Sequence, residues 1–384
     1  MKKVRLGIIG FGNMGAGHTK NYLDGRMPEI EITAVADRKP ARLELARETL
    51  GNDVAYFAEG SELIKSGACE AILIAVPHYQ HPELAMQAFD NHVHVMCEKP
   101  AGVYTKQVRE MNEAAAKSDV VFGMMFNQRT HHVYRKMHEM VVGGQLGTLK
   151  RVNWIITDWY RTQSYYDSGA WRATWEGEGG GVLLNQCPHN LDLLQWICGM
   201  PARVRAFCHE GKWHDIEVED DVTAYLEFEN GATGVFITST GDAPGTNRFE
   251  VLGDLGRLIC EDDKLYYSKL DESERTFSKT EKQGFKRPPQ TDSIVETDGQ
   301  YEQHSGVLNA FAAAILRGEP LIAGGQEGIN GLMLSNAMHL SSWKNEMVSL
   351  PIDEDEFLTH LNARRATSRH KEDSGVTFNT EGTY

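Results

Sequence analysis

The chain has 384 residues, of which 41% are hydrophobic and 24% charged, a composition typical of a globular protein with more than one domain. Its net charge of −15 argues against a surface for nucleic acid or for anionic membranes. No apolar stretch in the sequence reaches the length that a bilayer span needs. The six cysteines lack metal-type spacing, so we expect reduced thiols and a cytoplasmic protein without nucleic-acid or membrane partners.

A glycine-rich loop follows the first apolar run. Residues 4–9 lead into a G-x-G-x-x-G pattern. Its first glycine permits a sharp strand-to-helix turn, its second lets the backbone approach a pyrophosphate, and its third allows close packing. A second apolar run ends at Asp37, about 20 residues later, where an acid binds the adenosine ribose. Arg38, next in the chain, could accept a 2′-phosphate, so we expect NAD and leave NADP open. The predicted cofactor residues here are Gly10, Phe11, Gly12, Asn13, Met14, Gly15, Asp37 and Arg38.

Apolar strands alternate with amphipathic helical segments from Val4 to Phe126. This alternation predicts an α/β Rossmann domain over residues 1–126, with a doubly wound parallel sheet. Ligands of such sheets bind beyond the carboxyl ends of the strands. The segments at Pro77 and at Glu98 follow two of these strands, so we predict that both lie at the cofactor edge. The further predicted cofactor residues are Pro77, His78, His81, Glu98, Lys99 and Asn127.

The pattern changes after Phe126 and predicts a second α/β domain over residues 127–384, for substrate binding and oligomerisation. A helix over 130–142 and a strand over 149–159 precede a triple glycine and an apolar helix that ends at Ile197. Six further runs predict an open, mostly antiparallel sheet. We expect a surface loop over 271–299, helices over 306–317 and 326–343, and an edge strand over 347–352. The polar tail from Arg364 is expected to be disordered or to wrap a neighbouring subunit.

Two residues are candidates for proton chemistry. Lys99, at a strand end and fixed by Pro100, can donate to a substrate hydroxyl and stabilise an alkoxide; the alternative is a solvated surface lysine. His189 is the type of residue that takes a proton from an alcohol near neutral pH; the alternative is a capping or core histidine. Asn185 and Asp192 lie four residues before and three residues after His189, so either could share its helix face.

An aromatic segment over 154–175 combines flat rings with arginines and carboxylates. Such a surface suits a polyol, with its apolar C–H faces and many hydroxyls, but a subunit interface has the same composition. Other histidines do not form a metal-binding pattern, and we predict no metal centre. The predicted substrate residues are Lys99, Tyr160, Arg161, Trp171, Arg172, Asn185 and His189; the histidines weighed against a metal are His78, His81, His92, His94, His131 and His132.

Together these motifs resemble the glucose–fructose oxidoreductase/inositol dehydrogenase (Gfo/Idh/MocA) family. The resemblance rests on the glycine motif, Asp37, Pro77 with His81, Glu98-Lys99-Pro100, and the triple glycine before His189. It implies NAD(P)-dependent oxidation or reduction of a sugar, glycoside or polyol, in a homodimer or homotetramer. It also implies that Lys99 is the catalytic lysine and His189 the catalytic histidine.

This chain departs from the family pattern at two positions. Asn185 stands where the family usually has aspartate, and Cys187 where it has glycine. A neutral amide can orient and hydrogen-bond but cannot raise the basicity of the site. Our hypothesis is that Asn185 binds a substrate hydroxyl and His189 is the base. Alternatively, Asp192 or a residue of the aromatic segment assists His189. Residues 165–172 and 179–198 resemble the branch that acts on pyranosides, at the C3 hydroxyl.

Two other functions are compatible with the sequence. In a glycosidase that retains NAD, transient oxidation of the sugar permits elimination of the aglycone. In a dinucleotide sensor without catalytic activity, Lys99 and His189 would be incidental.

Overall fold

The first part of the chain forms a parallel sheet, as the alternating pattern predicts. Its strands in the computed structural model, which describes residues 2–371, are β1 (Val4–Ile9), β2 (Ile30–Ala36), β3 (Ala55–Phe57), β4 (Ala71–Ile74), β5 (His94–Cys97) and β6 (Phe122–Met124). They lie in the order β3-β2-β1-β4-β5-β6, and all neighbours pair in parallel. Strand order reverses between β1 and β4, which opens a crevice at their carboxyl ends.

Five helices connect these strands: α1 (Asn13–Leu23), α2 (Pro40–Leu50), α3 (Gly60–Lys65), α4 (His81–Asp90) and α5 (Thr105–Ala115). The central strands β1 and β4 are buried almost throughout, because helices cover both faces of a doubly wound sheet. This burial explains why the strands are continuous apolar runs in the sequence.

The second part of the chain is built on a mixed sheet. Its elements are α6 (His132–Val142), β7 (Leu149–Ile156), α7 (Gln163–Asp167), α8 (Pro188–Cys198), β8 (Arg203–Glu210), β9 (Glu219–Glu227), β10 (Thr233–Ser239), β11 (Asn247–Gly253), β12 (Gly256–Glu261), β13 (Lys264–Leu270), α9 (Glu274–Thr280), β14 (Gln290–Ile294), α10 (Gln303–Arg317), α11 (Gly328–Lys344), β15 (Val348–Ser349) and α12 (Glu354–Arg365). The strand order is β14-β13-β12-β11-β7-β10-β9-β8-β15. β7 and β10 pair in parallel, and every other pair of neighbours with a recorded register is antiparallel.

One face of this sheet is covered by α8 and α11, which pack against each other and, through α11, against β8. The other face leaves Ile155, Phe207 and Tyr225 at least partly open, with Phe207 49% exposed. The predicted open sheet is therefore present. The homodimer or homotetramer that the resemblance implies stays a prediction.

Helix α10 returns to the first sheet although it comes late in the chain. Its apolar residues Val307, Leu308 and Phe311 pack with Val4 and Leu6 of β1. A single hydrophobic core also runs from β4 to the second sheet. The two halves are thus held together by packing, and the domain boundary after residue 126 stays a prediction. Within residues 2–371, no helix is both long enough and apolar enough to cross a membrane.

Three predicted segments differ in the structure. The expected loop over 271–299 contains α9 and the edge strand β14, whose residues are all exposed and, apart from Ile294, polar. The expected edge strand over 347–352 is reduced to β15. The tail from Arg364 was predicted to be disordered or to wrap a neighbouring subunit, but α12 continues to Arg365, and Ser368 and Lys371 contact their own chain. The rest of the tail lies outside the described residues.

Candidate active site

The glycine loop between β1 and α1 has the geometry of a phosphate site. Gly10 has φ +97°, and a Cβ there would lie 2.4 Å from the Ala75 carbonyl oxygen. A Cβ on Gly15 would lie 2.1 Å from the Gly10 carbonyl oxygen. A Cβ on Gly12 would meet nothing within 4 Å, so packing against the described residues does not explain that glycine. The α1 N-terminus also has no side-chain cap and no acid in its first turn, so its positive dipole end suits an anion.

Asp37 lies at the end of β2, beside this loop. Its Oδ2 accepts from the Phe11 backbone N–H at 2.7 Å, and its Oδ1 accepts from the Lys39 N–H at 2.8 Å. The carboxylate therefore fixes the loop and remains able to accept further hydrogen bonds. Arg38 is exposed and ion-pairs with Glu59 at 2.8 Å, so an acid stands where a 2′-phosphate would have to bind.

Glu98 follows β5 and is buried against α1. Its Oε1 lies 2.7 Å from His18 Nε2. Burial alone would raise the pKa of Glu98, but the hydrogen bond and charge of His18 outweigh burial and bring the pKa to about 2. Glu98 is therefore a buried carboxylate at neutral pH.

Lys99, the next residue, points to the second half of the chain. Its Nζ donates to the backbone carbonyl of Asn185 at 3.0 Å. Burial lowers the pKa of the Lys99 ammonium, the Glu98 carboxylate opposes this shift, and the guanidinium groups of Arg161 and Arg172 add to it. Lys99 is thus a partly buried cation in the crevice, and the alternative of a solvated surface lysine does not describe it.

His189 lies in the first turn of α8, directly after Pro188, and it is buried. It is only 3% exposed, and neither ring nitrogen has a hydrogen-bond partner among the described residues. Burial lowers its pKa well below the ordinary value, and the charge of Lys99 lowers it further. His189 is therefore a neutral imidazole with both nitrogens available, which is what a general base requires.

The suggestion that Asp192 assists His189 is wrong. Its two carboxylate oxygens accept from Arg129 Nε and Nη2, both at 2.7 Å. Arg129 also pairs with Glu327 at 2.7 Å. This buried ion pair satisfies Asp192, because a buried charge needs a matched partner.

Asn185 does not share a helix face with His189, because α8 begins only at Pro188. Its side-chain amide donates instead to Glu178 Oε1. Glu178 is 2% exposed, and its other oxygen accepts from the Ala173 N–H at 2.6 Å. Since a carboxylate accepts hydrogen bonds, this contact turns the Asn185 NH₂ group toward Glu178 and leaves Oδ1 as the free acceptor.

The aromatic segment contributes two stacked arginines to the crevice. Arg172 lies 4.6 Å from the ring centroids of both Tyr165 and Trp171. Arg161 lies 5.2 Å from the Tyr165 ring centroid. Tyr160, in contrast, is 49% exposed and forms no side-chain hydrogen bond among the described residues.

The two histidines after β4 have different positions. His81 bonds through Nδ1 to the Pro100 carbonyl and through Nε2 to the Val76 carbonyl, both at 2.7 Å. It therefore joins the loops after β4 and β5, and no ring nitrogen remains for a ligand. His78 contacts the Glu178 carbonyl through Nδ1 at 3.2 Å and packs edge-on against Trp171.

A cluster of possible metal ligands lies elsewhere, at the N-terminus of α6. His131 Nε2 and His132 Nε2 lie 3.1 Å and 3.5 Å from the two oxygens of Asp263. His131 Nδ1 accepts from the Val133 N–H, so neutral His131 carries its proton on Nε2, the nitrogen that lies near Asp263. These contacts are complete without a cation, and the absence of a metal centre stays a prediction.

The residues around the crevice fit a dinucleotide. The space at Gly12 and the uncapped α1 N-terminus suit a pyrophosphate. Asn127, which follows β6, is fully buried, and neither its amide nitrogen nor its oxygen has a partner within residues 2–371. His18 Nδ1 and both His189 nitrogens are likewise unpartnered. Buried polar groups are normally paired, so these orphaned atoms indicate a polar ligand between the two halves.

Sequence reasoning did not single out Glu178, His18 or Tyr165. Glu178 is the one acidic residue within the run Gly177-Glu178-Gly179-Gly180-Gly181. A single acid among glycines could have identified it as a candidate site residue. His18 lies one helical turn after Gly15, on the face of α1 that packs inward. Nothing in the sequence marks Tyr165 apart from its neighbours.

Comparison with known proteins agrees with this geometry. Residues 4–126 match the oxidoreductase family with an NAD-binding Rossmann fold, and residues 134–259 match the GFO/IDH/MocA C-terminal domain. Together the two matches cover more than half of the chain.

Individual relatives and solved structures extend the similarity over most of the chain. Myo-inositol 2-dehydrogenase of Thermotoga maritima is 26% identical over 90% of this chain and 98% of its own. D-glucoside 3-dehydrogenase of Escherichia coli is 25% identical over 59% of this chain and 68% of its own. The WlbA dehydrogenase of Bordetella pertussis, solved with NADH and UDP-GlcNAcA, has the same fold, with a TM-score of 0.76, 23% identity, and coverage of 92% of this chain and 100% of its own. The chain therefore belongs to the Gfo/Idh/MocA family of oxidoreductases, and its first domain is an NAD-binding Rossmann domain.

Proposed function

We propose that the protein is an NAD-dependent dehydrogenase that oxidises a hydroxyl of a sugar, glycoside or polyol, or reduces the corresponding ketone. The observation that carries this proposal is that the unpartnered imidazole of His189 lies near the ammonium group of Lys99. His189 is a buried neutral imidazole without a partner, and the Lys99 ammonium lies close enough to depress its pKa. A neutral base beside a fixed cation is the arrangement that alcohol oxidation needs.

In this proposal, His189 takes the hydroxyl proton. Lys99 donates a hydrogen bond to the same oxygen and stabilises the negative charge that develops on it. Bound NAD supplies the hydride acceptor. The reaction runs in reverse when His189 returns the proton to a carbonyl oxygen, so the same residues serve ketone reduction.

NAD is preferred over NADP in this proposal. Asp37 is placed to bind the ribose hydroxyls, and its charge repels a 2′-phosphate. Arg38 is engaged by Glu59, so no free cation stands at that position. In this proposal Asn127, Pro77, His78 and Glu98 contact the cofactor. His81 positions the loops after β4 and β5 through its bonds to the Val76 and Pro100 carbonyls.

The substrate wall combines Trp171, Arg161 and Arg172 with the free oxygen of Asn185. The aromatic rings suit the C–H face of a pyranose, and the polar groups suit its hydroxyls. Relatives named inositol, glucoside and levoglucosan dehydrogenases support this class of substrate. We assign oxidation to C3 of a pyranoside, and we expect a cytoplasmic homodimer or homotetramer.

The test is the absorbance of reduced nicotinamide after the purified protein and NAD are mixed with each member of a panel of methyl glycosides, free sugars, uronic acids, sugar phosphates and inositols. We expect one class to reduce NAD, and we expect Lys99→Ala and His189→Ala to lose at least about a hundredfold in kcat, the usual contribution of such groups. Absence of NAD reduction with every member, in a protein shown to bind NADH, would overturn the proposal.

A further inference from the structure

Three cations of the proposed substrate site have no acidic partner. Lys99 Nζ bonds to a backbone carbonyl, Arg172 Nη1 bonds to the Tyr165 hydroxyl at 2.8 Å, and Arg161 Nη1 bonds to the backbone carbonyls of Trp159 and Tyr160. Every one of these acceptors is a neutral oxygen. Within residues 2–371, none of the three cations forms an ion pair.

Most hydrogen-bond donors of the two arginines are unused. Each guanidinium has five N–H donors, and in both residues only Nη1 meets an acceptor of the described chain. The Nε and Nη2 groups are also absent from the buried unpaired atoms, so they are open to the crevice. Stacking of both groups against Tyr165 fixes their planes, so they are oriented before any ligand arrives.

Nearby acids offset only part of this charge. Glu178 interacts electrostatically with Arg172, but its oxygens are bound by the Ala173 N–H and the Asn185 amide. Glu98 is paired with His18. Lys371 adds a further cation, because its Nζ bonds to the carbonyls of Tyr166 and Arg172. Asp158 also interacts electrostatically with Arg161, and Asp167 and Glu217 interact with Lys371. What distinguishes the site is therefore that Lys99, Arg161 and Arg172 have no direct ion pair among the described residues, in a chain whose net charge is −15.

We propose that the substrate is an acidic sugar, whose carboxylate or phosphate group is bound by Arg172 and Arg161. This inference rests on the proposed dehydrogenase function and specifies its substrate class. Neutral hydroxyls can pair with one another and with amides, whereas two oriented guanidinium groups match the two oxygens of an acidic group. Partly buried cations without a direct ion pair are costly, and an anionic ligand reduces that cost.

The experiment is isothermal titration calorimetry of sugars into the protein saturated with NADH. The probes are methyl β-D-glucoside as the neutral reference and methyl β-D-glucuronide, glucose 6-phosphate and glucose 1-phosphate as acidic members. We expect at least one acidic member to bind about tenfold more tightly than the reference, the effect of one charge-assisted contact. Comparison of the glucuronide with the two glucose phosphates then shows whether the site binds a carboxylate or a phosphate group.

The variants Arg172→Gln and Arg161→Gln should each remove most of this preference, measured as the ratio of the dissociation constants of the acidic and neutral sugars. Arg317→Gln is the matched control, because Arg317 pairs with Glu29 on the outer surface and should leave the preference unchanged. Equal or weaker binding of all acidic members overturns the inference. If the neutral glycoside is nevertheless oxidised with NAD, only this inference fails. If no sugar binds and none reduces NAD, the proposed function fails as well.

Discussion

At the scale of single residues, the structure shows what accompanies the asparagine at position 185, where the family usually has aspartate. Glu178 places a buried carboxylate directly against the Asn185 amide. Burial raises the pKa of Glu178, while the charge of Arg172 and the hydrogen bonds from Ala173 and Asn185 oppose this shift. In the proposed site the carboxyl group therefore lies behind Asn185, which offers an oxygen acceptor in its place. Glu178 acts through Asn185, so it is a positioning residue.

This arrangement predicts the outcome of a charge exchange. Asn185→Asp alone puts two carboxylates within hydrogen-bond distance, where like charges disfavour ionisation of one of them, and we expect at least a tenfold loss of kcat. The double variant Asn185→Asp with Glu178→Gln restores a single carboxylate and should recover most of the loss. Steady-state kinetics of the four proteins measures this cycle. A double variant as poor as the worse single variant would show that Glu178 has only a structural role.

The pKa values of His189 and Lys99 predict the pH dependence of catalysis. Burial holds the pKa of His189 well below its ordinary value, so its neutral, proton-accepting form persists on acidification. Burial also lowers the pKa of Lys99, so its cation is lost earlier on the alkaline side. We expect a bell-shaped profile of kcat/KM with an acid limb below about pH 6.5 and an alkaline limb below about pH 10.4, the ordinary values for histidine and lysine. An acid limb above pH 7 that disappears in Asn185→Ala would show that a group other than His189 causes the loss of activity in acid.

The sequence predicted the residues that follow strand ends and glycines, because their positions depend on local chain direction. Lys99, His189 and Gly12 are in this class. It could not predict the partners of Asp192 and Asn185, because Arg129 and Glu178 reach them through tertiary packing and loop geometry. An i, i+4 spacing is informative only within a helix, and α8 begins after Asn185.

At the scale of elements, the segment after α12 holds the aromatic part of the site. Arg365 forms two hydrogen bonds with Glu176, at 2.9 Å and 3.1 Å. Ser368 Oγ bonds to Glu217 and accepts from the Glu176 N–H. Lys371 Nζ reaches the Tyr166 carbonyl at 2.7 Å. Residues 365–371 therefore fix the segment that carries Arg172.

Truncation tests this role. A chain that ends at Thr367 loses the contacts of Ser368 and Lys371, and we expect the KM for the sugar to rise about fivefold, the effect of roughly one hydrogen bond. NADH affinity should not change, because the glycine loop is untouched. The matched control ends at Lys371 and keeps every contact described above. Equal KM values in the two truncated chains would contradict the prediction.

The elements that sequence patterns missed are those with exposed polar surfaces. β14 is exposed along its whole length and lies at the edge of the sheet, so it lacks the alternation of a half-buried strand. Helix α12 buries only Phe357 and Leu361, too few positions for a clear helical period. In contrast, β4 and α10 are strongly apolar, and both were predicted.

At the scale of the whole molecule, buried histidines predict loss of stability in mild acid. Burial lowers the pKa of His304 to about 4 and also lowers the pKa values of His78, His81 and His189. The unfolded chain binds protons at these residues below about pH 6.5, whereas the folded chain does not. Each such histidine therefore reduces the unfolding free energy by about 1.4 kcal/mol per pH unit in that range.

Urea unfolding at several pH values between 5 and 7.5 measures this slope. His304→Gln should lower the slope of the unfolding free energy against pH by the contribution of one histidine, about 1.4 kcal/mol per pH unit. His209→Gln is a suitable control, because the His209 side chain is 53% exposed. A slope that both variants leave unchanged would contradict the assignment.

The central claim is that His189 and Lys99 serve hydride transfer from a sugar carbon to NAD. Deuterium tracing tests it most directly. The protein is incubated with unlabelled NAD and a methyl glycoside that is deuterated at its ring carbons. The binding experiment decides whether the acidic or the neutral glycoside is used. The nicotinamide is then analysed by NMR. We predict deuterium at C4 of the released NADH, no free methanol, and loss of both the label and the ketone product in His189→Ala. Methanol release without labelled NADH would contradict the account and identify a glycosidase that retains its cofactor.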